Sequence, residues 1–188
     1  MTHLIFVIAT ALFCVAMPAQ AQTSIKPASI HDQDGITVVS PNQSGWTLLK
    51  TDRSETVFEK RAEDGILDAG VKTIRTKTFE TEKERLAGWE TLKQEEFSKL
   101  KRDSIHFDIM RFKGATCLRY TGIFPIEKTS SSNFAYFNLK GYLCPQSNAK
   151  DAAVQIEFSN YSNTRGFTED LYSLSEEFFE KLTLSKRQ

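Results

Sequence analysis

The chain has 188 residues with 24 basic and 24 acidic side chains, and 40% of it is apolar, the size and balance of one ordinary soluble domain. Zero net charge, balanced to within one charge in each half, supplies no global field for nucleic acid or an anionic membrane surface. Nine Gly and five Pro exclude collagen-like and low-complexity chains, and no second apolar run approaches the ~20 residues of a membrane span.

The N-terminus differs chemically from the rest. Leu4 to Met17 is uncharged and apolar, too short for a comfortable span, and it ends in Pro18-Ala19-Gln20-Ala21. Small residues at 19 and 21 suit signal peptidase, so residues 1–21 read as a signal peptide cleaved after Ala21. The alternative is an uncleaved anchor, and His3 is the n-region's only side chain that can carry a charge. Bulky Leu12 and Phe13 before Cys14 argue against lipidation. Cleavage makes the chain exported, periplasmic or secreted, with no integral span remaining. It also leaves an even cysteine pair, Cys117 and Cys144, in an oxidising compartment. The pair reads as a structural disulfide rather than a redox or metal pair, because there is no CxxC spacing and no nearby His.

Residues 22–35 are polar and aperiodic and read as a flexible arm, which leaves 36–188 as a single domain. Ile36 to Val39, Trp46 to Lys50 and Glu55 to Lys60 are strand candidates separated by turn signals, and Ala69 to Phe79 continues them. Thr81 to Arg102 reads as a long helix, because Leu86, Trp89, Leu92 or Lys93, Phe97 and Leu100 recur at intervals of three to five. Thr81 with Glu84 forms a capping-box pattern, and Lys99, Lys101 and Arg102 suit the negative end of the dipole. Period two then takes over. Ser104 to Lys113 and Ala115 to Phe124 flank Gly114 as a tight hairpin, followed by strands at Phe134 to Leu143 and Ala152 to Ser159. Thr168 to Leu184 closes the chain as an amphipathic helix capped by Thr168. The expected fold is α+β: an antiparallel sheet of about six or seven strands with the long central helix and the C-terminal helix packed on it.

The element order, the exported leader and the Gly45-Trp46 opening strand resemble the DcrB-like and photosystem II P-protein-like exported α/β/α sandwich domains. That resemblance implies a non-enzymatic adaptor or assembly domain of the cell envelope, and it transfers no site residues.

The chemistry is sparse. No HExxH, GxSxG, P-loop or GxGxxG occurs, and no catalytic, metal or cofactor set is assigned. His106 and Asp108 share a strand face and are weighed as a hydrolase's base and orienter against an exposed pair. Glu95-Glu96 and Glu176-Glu177 sit in helices, where neighbours point ~100° apart, and read as solvated faces. The aromatics Phe134, Tyr136 and Tyr142, with Tyr120 alongside, form an interaction patch if helices cover one sheet face and core if they cover both. The sequons at Asn42 and Asn160 are treated as chance. Three functions stay open: an interaction or assembly module with an envelope-protein partner, a small apolar-ligand or lipid binder suggested by the many Phe, and a hydrolase at His106 and Asp108.

Overall fold

The structure, a computed structural model, describes residues 23–33, 36–101, 104–127, 133–147 and 149–184. The apolar leader lies outside the described residues. Part of the expected flexible arm is ordered: β1 (Thr23–Ser24) pairs with β4 (Thr47–Thr51), and β2 (Ile30–Gln33) pairs with β3 (Ile36–Val39). Ile25 packs against the core, and the His31 ring meets Phe58 edge-on at 5.3 Å. These pairings span only two to four residues, too few to leave a periodic signature in a polar segment.

After β4 come β5 (Glu55–Ala62) and β6 (Gly65–Arg75), then α1 (Glu82–Phe97) and a meander of β7 (Ser104–Phe112), β8 (Ala115–Pro125), β9 (Tyr136–Pro145) and β10 (Ala152–Ser162). The chain finishes with α2 (Glu169–Lys181) and β11 (Thr183–Leu184). The main sheet has eight strands in the order β1-β4-β5-β6-β10-β9-β8-β7, antiparallel throughout, and β11-β3-β2 form a second small sheet. The expected α+β class and antiparallel sheet are present, and the two-residue β1 takes the strand count past seven.

Helix α1 is shorter than its sequence pattern suggests. Thr81 caps it as expected, with its hydroxyl accepting from the Glu84 backbone and the Glu84 side chain accepting from Thr81 N–H. Its last residue is Phe97, and Ser98 Oγ donates back to the Glu95 carbonyl at 2.7 Å. Sixteen residues make a rod of about 24 Å. Lys99 and Lys101 lie beyond it, so the expected basic last turn is absent. Phe97 already fills the space beside Tyr120 and Phe124, at ring distances of 5.9 and 5.2 Å, and the stripe has done its packing there.

The helices cover opposite faces of the sheet. Leu86, Trp89 and Phe97 of α1 pack with Leu118, Tyr120, Phe124, Leu139 and Leu143. Leu174, Phe178 and Phe179 of α2 pack with Tyr142, Val154, Ile156 and Phe158, joined by Val38 and Leu182 from the small sheet's side. Neighbouring residues of one strand, such as Tyr142 and Leu143, therefore enter different cores, as the pleat requires. Cys117 and Cys144 are bridged, both fully buried in the α2-side core with Cα atoms 4.5 Å apart. Asn160 is buried and accepts from Asn138 Nδ2 at 2.8 Å, so its sequon presents no accessible acceptor in the folded domain.

Candidate interaction surface

The four aromatics considered as a patch do not form one. Tyr120 lies opposite Gly141 and points to the α1 side, whereas Tyr142 lies opposite Arg119 and points to the α2 side. Both are buried. Tyr142 stacks on Phe112 at 4.3 Å and meets Phe179 edge-on at 5.0 Å, and Tyr120 donates to Glu157 Oε1 at 2.6 Å. Phe134, two residues before β9, and Tyr136, its first residue, are half-buried. With a helix on each face, strand-face aromatics near the sheet centre become core, and the patch reading fails for Tyr120 and Tyr142.

Two lysines are buried instead. Lys93 Nζ reaches Glu96 Oε2 at 2.9 Å and Glu157 Oε1 at 3.2 Å, and it lies over the Tyr120 ring at 4.6 Å. Burial pushes the Glu157 carboxyl up, but the Lys93 charge and hydrogen bonds from Tyr120, Gln155 and Lys93 outweigh it and hold the group below its ordinary value. Burial, then the Glu157 charge, raises the Tyr120 hydroxyl well above its ordinary range. On the α2 side Lys140 bonds Glu176 and lies over the Tyr172 ring at 3.9 Å. Burial, then Arg119, pushes its ammonium down to about 8. Glu96 and Glu176, expected as solvated faces, thus each neutralise a buried cation.

Asp68 of β6 stands opposite Glu59 on β5 and Ser159 on β10. Burial, then the Glu59 charge, pushes its carboxyl up to about 7, and Arg61 opposes this. The native chain therefore keeps a proton that the unfolded chain has lost, so stability falls as pH rises from 3.8 to about 7. Asp68→Asn should remove that loss. We expect it to be more stable than wild type at pH 8 by about 2 kcal/mol, discounted from the full shift for partial exposure, with no difference near pH 4. Urea unfolding across that range measures it, and parallel curves for the two proteins would refute the assignment.

His106 and Asp108 both lie on β7 and are exposed. The Asp108 carboxylate accepts from Arg119 Nη2 at 2.6 Å, so it is engaged as an ion pair by the neighbouring strand. The strand carrying them is the more notable feature. The sheet's two edges differ: β1 has two residues and its neighbour β4 carries a register shift at Leu48/Lys50, devices that blunt an edge. By contrast β7 has nine residues in unbroken register with β8, and contains no Pro, Gly or Lys. Ile109 at its middle is 62% exposed. Between it and α1 runs an open groove of about 410 Å³ lined by Glu82, Lys83, Leu86, Ala87, Glu90 and Ile109.

A turn of Lys113 and Gly114, both at positive φ (50° and 84°), closes the β7-β8 hairpin on the Phe112/Ala115 pair. That pair exchanges backbone bonds, so alternation assigns the even-numbered residues of β7 to β8 and turns the N–H and C=O groups of 105, 107, 109 and 111 outward. The fold and this edge define a two-faced α+β domain in which, among the described residues, the β7 edge is open to pairing. No protein-family model and no curated protein matches the chain. Among the described residues, no helix is long and apolar enough to cross a membrane.

Proposed function

We propose that this chain is an exported, non-enzymatic interaction or assembly module of the bacterial cell envelope, in the periplasm or secreted, and that it engages its partner through the β7 edge. The observation that carries the reading is the long strand in unbroken register, without Pro, Gly or Lys, with an apolar residue exposed near its centre. Such an edge is a ready template for another strand, and sequences that do not use one normally obstruct it. The Cys117–Cys144 bridge is compatible with export. The resemblance to exported α/β/α sandwich domains points the same way. Against a role in apolar-ligand binding, the phenylalanines suggesting it pack on one another: Phe158 lies 6.4 Å from Phe178, and Phe178 5.7 Å from Phe179.

The test is a photo-crosslinking residue at position 109 in the full chain expressed in a Gram-negative host. The expected result is a mature N-terminus at Gln22, recovery with the periplasmic or secreted fraction, and adducts formed from position 109 but not from exposed Glu95 on α1 or Tyr172 on α2. Retention of residues 1–21 in the cytoplasm would overturn export. Equal labelling from all three positions would overturn the edge as the contact.

A further inference from the structure

Resting on that reading of β7, we infer that the strand's occupant is a second copy of this chain, paired antiparallel about a two-fold axis at Phe107. The two eight-stranded sheets then run on as one. An isologous contact places the same strand on both sides, so its sequence must complement itself when reversed. Sheet continuity restricts the choice to registers that keep each face on its own side, which centre on one residue paired with its own copy.

Centring on Phe107 sets His106 opposite Asp108 of the second copy, twice over, and sets Ile109 opposite Ile105 of the second copy, also twice. The imidazole and carboxylate rows extend an ion pair already present, because Asp108 holds Arg119 at 2.6 Å on the same face. On the other face, exposed Ile109 gains an apolar neighbour. The competing registers are worse. Centring on Asp108 puts two carboxylates face to face, and like charges directly opposite are destabilising. Centring on Ile109 puts Asp108 against Met110 and His106 against Phe112, with no charge matched.

The backbone agrees with this choice. Residues 105, 107 and 109 are the ones whose N–H and C=O face outward, so Phe107 would bond its own copy, and the His106/Asp108 positions would be the closer, non-bonded pairs about 4.5 Å apart at Cα. There is also room for the helices. Each α1 packs on its own β8, and three strand spacings put the two copies of β8 about 14 Å apart, against a helix diameter of about 10 to 12 Å. The two helices would flank the junction and close the groove over Ile109.

The experiment uses the mature chain, in which the native cysteines are bridged and an added cysteine is the sole free thiol. Sedimentation of the wild type should give twice the chain mass, and Ile109→Glu should raise the dimer dissociation constant by roughly 100-fold, as burying a carboxylate at an interface centre does, while still unfolding cooperatively with a midpoint that no longer depends on concentration. Register is read by mixing His106→Cys protein with Asp108→Cys protein: the mixture should form a disulfide-linked dimer faster than either variant alone. A wild type that stays monomeric while position 109 still crosslinks to a different envelope protein overturns this inference and leaves the edge reading standing. Monomer with no adducts overturns both. A dimer in which Asp108→Cys or Ile109→Cys crosslinks to itself faster than the mixed pair overturns the register.

Discussion

Lys93→Met should lower the stability of the folded domain by about 3 kcal/mol, with the deficit largest at neutral pH. Lys93 is fully buried, and its ammonium is the cation between Glu96 and Glu157. Met keeps the length and apolar stem of the side chain, so little of the loss comes from packing. What changes is Glu157, left with a carboxylate beneath α1 and only the hydrogen bonds of Tyr120 and Gln155 to hold it. Breaking one side of a buried pair costs more than the pair contributes, because a charge stays behind without compensation.

The pH dependence separates this from a packing defect. In the wild type Glu157 is held below 4.5, so its contribution is fully present above that value and is lost as pH falls through the lowered one. In the variant burial is opposed only by the Tyr120 and Gln155 hydrogen bonds, so the group moves up from its wild-type position, protonating it relieves part of the penalty and the deficit shrinks on acidification. Adding Glu157→Gln to Lys93→Met should restore most of the loss. Urea unfolding of the two single variants and the double variant at pH 7 and pH 4 gives all of these values. A deficit that is the same at both pH values, or that the second substitution leaves unchanged, would show that Lys93 acts through volume alone.

Lys93 also shows where sequence reading stops. The spacing Leu86, Trp89, Lys93, Phe97 is a clean helical stripe, and it places position 93 rather than 92 on the buried face; Leu92 is 37% exposed. Residue type argued for Leu92, and only periodicity favoured Lys93, because one of its two carboxylate partners, Glu157, is 64 residues away on β10 and the other, Glu96, reads locally as part of a solvated helix face. Glu176 and Lys140 repeat the pattern at 36 residues. The meander β7 to β10 was legible because each connection is local and each strand alternates. The joining of β6 to β10, which welds the first hairpins to the meander, was not, since alternation names a strand's wet face and says nothing of its neighbour. The aromatic strand face failed for a related reason: whether it is core or surface depends on which face each helix takes, a long-range choice that the amphipathic stripes leave open.

Replacing both bridged cysteines by Ala should lower stability by about 3.5 kcal/mol, the entropy returned to the unfolded chain when a loop closed across 27 positions is released. Ala is the appropriate probe because Ser would bury two hydroxyls between Tyr142 and Val154 and add a polar penalty to the one being measured. The bridge joins β8 to β9 at the end of their ladder away from the connecting segment, one step beyond the Leu118/Leu143 pair. It therefore closes the hairpin where the loop does not, and most of its effect falls on the unfolded chain rather than on native contacts. Both sulfurs are buried, so a thiol reagent reaches them through opening of the sheet. Reduction of the native protein should accordingly be slow and should accelerate with urea in step with opening, whereas the unfolded chain is reduced at once. Chemical denaturation of the double Ala variant beside the oxidised and reduced wild type measures the first effect, and thiol release as a function of urea measures the second. A loss below about 1 kcal/mol would mean that the reduced chain keeps this hairpin closed when unfolded, and reduction as fast in buffer as in urea would place the bridge at the surface rather than in the core that α2 covers.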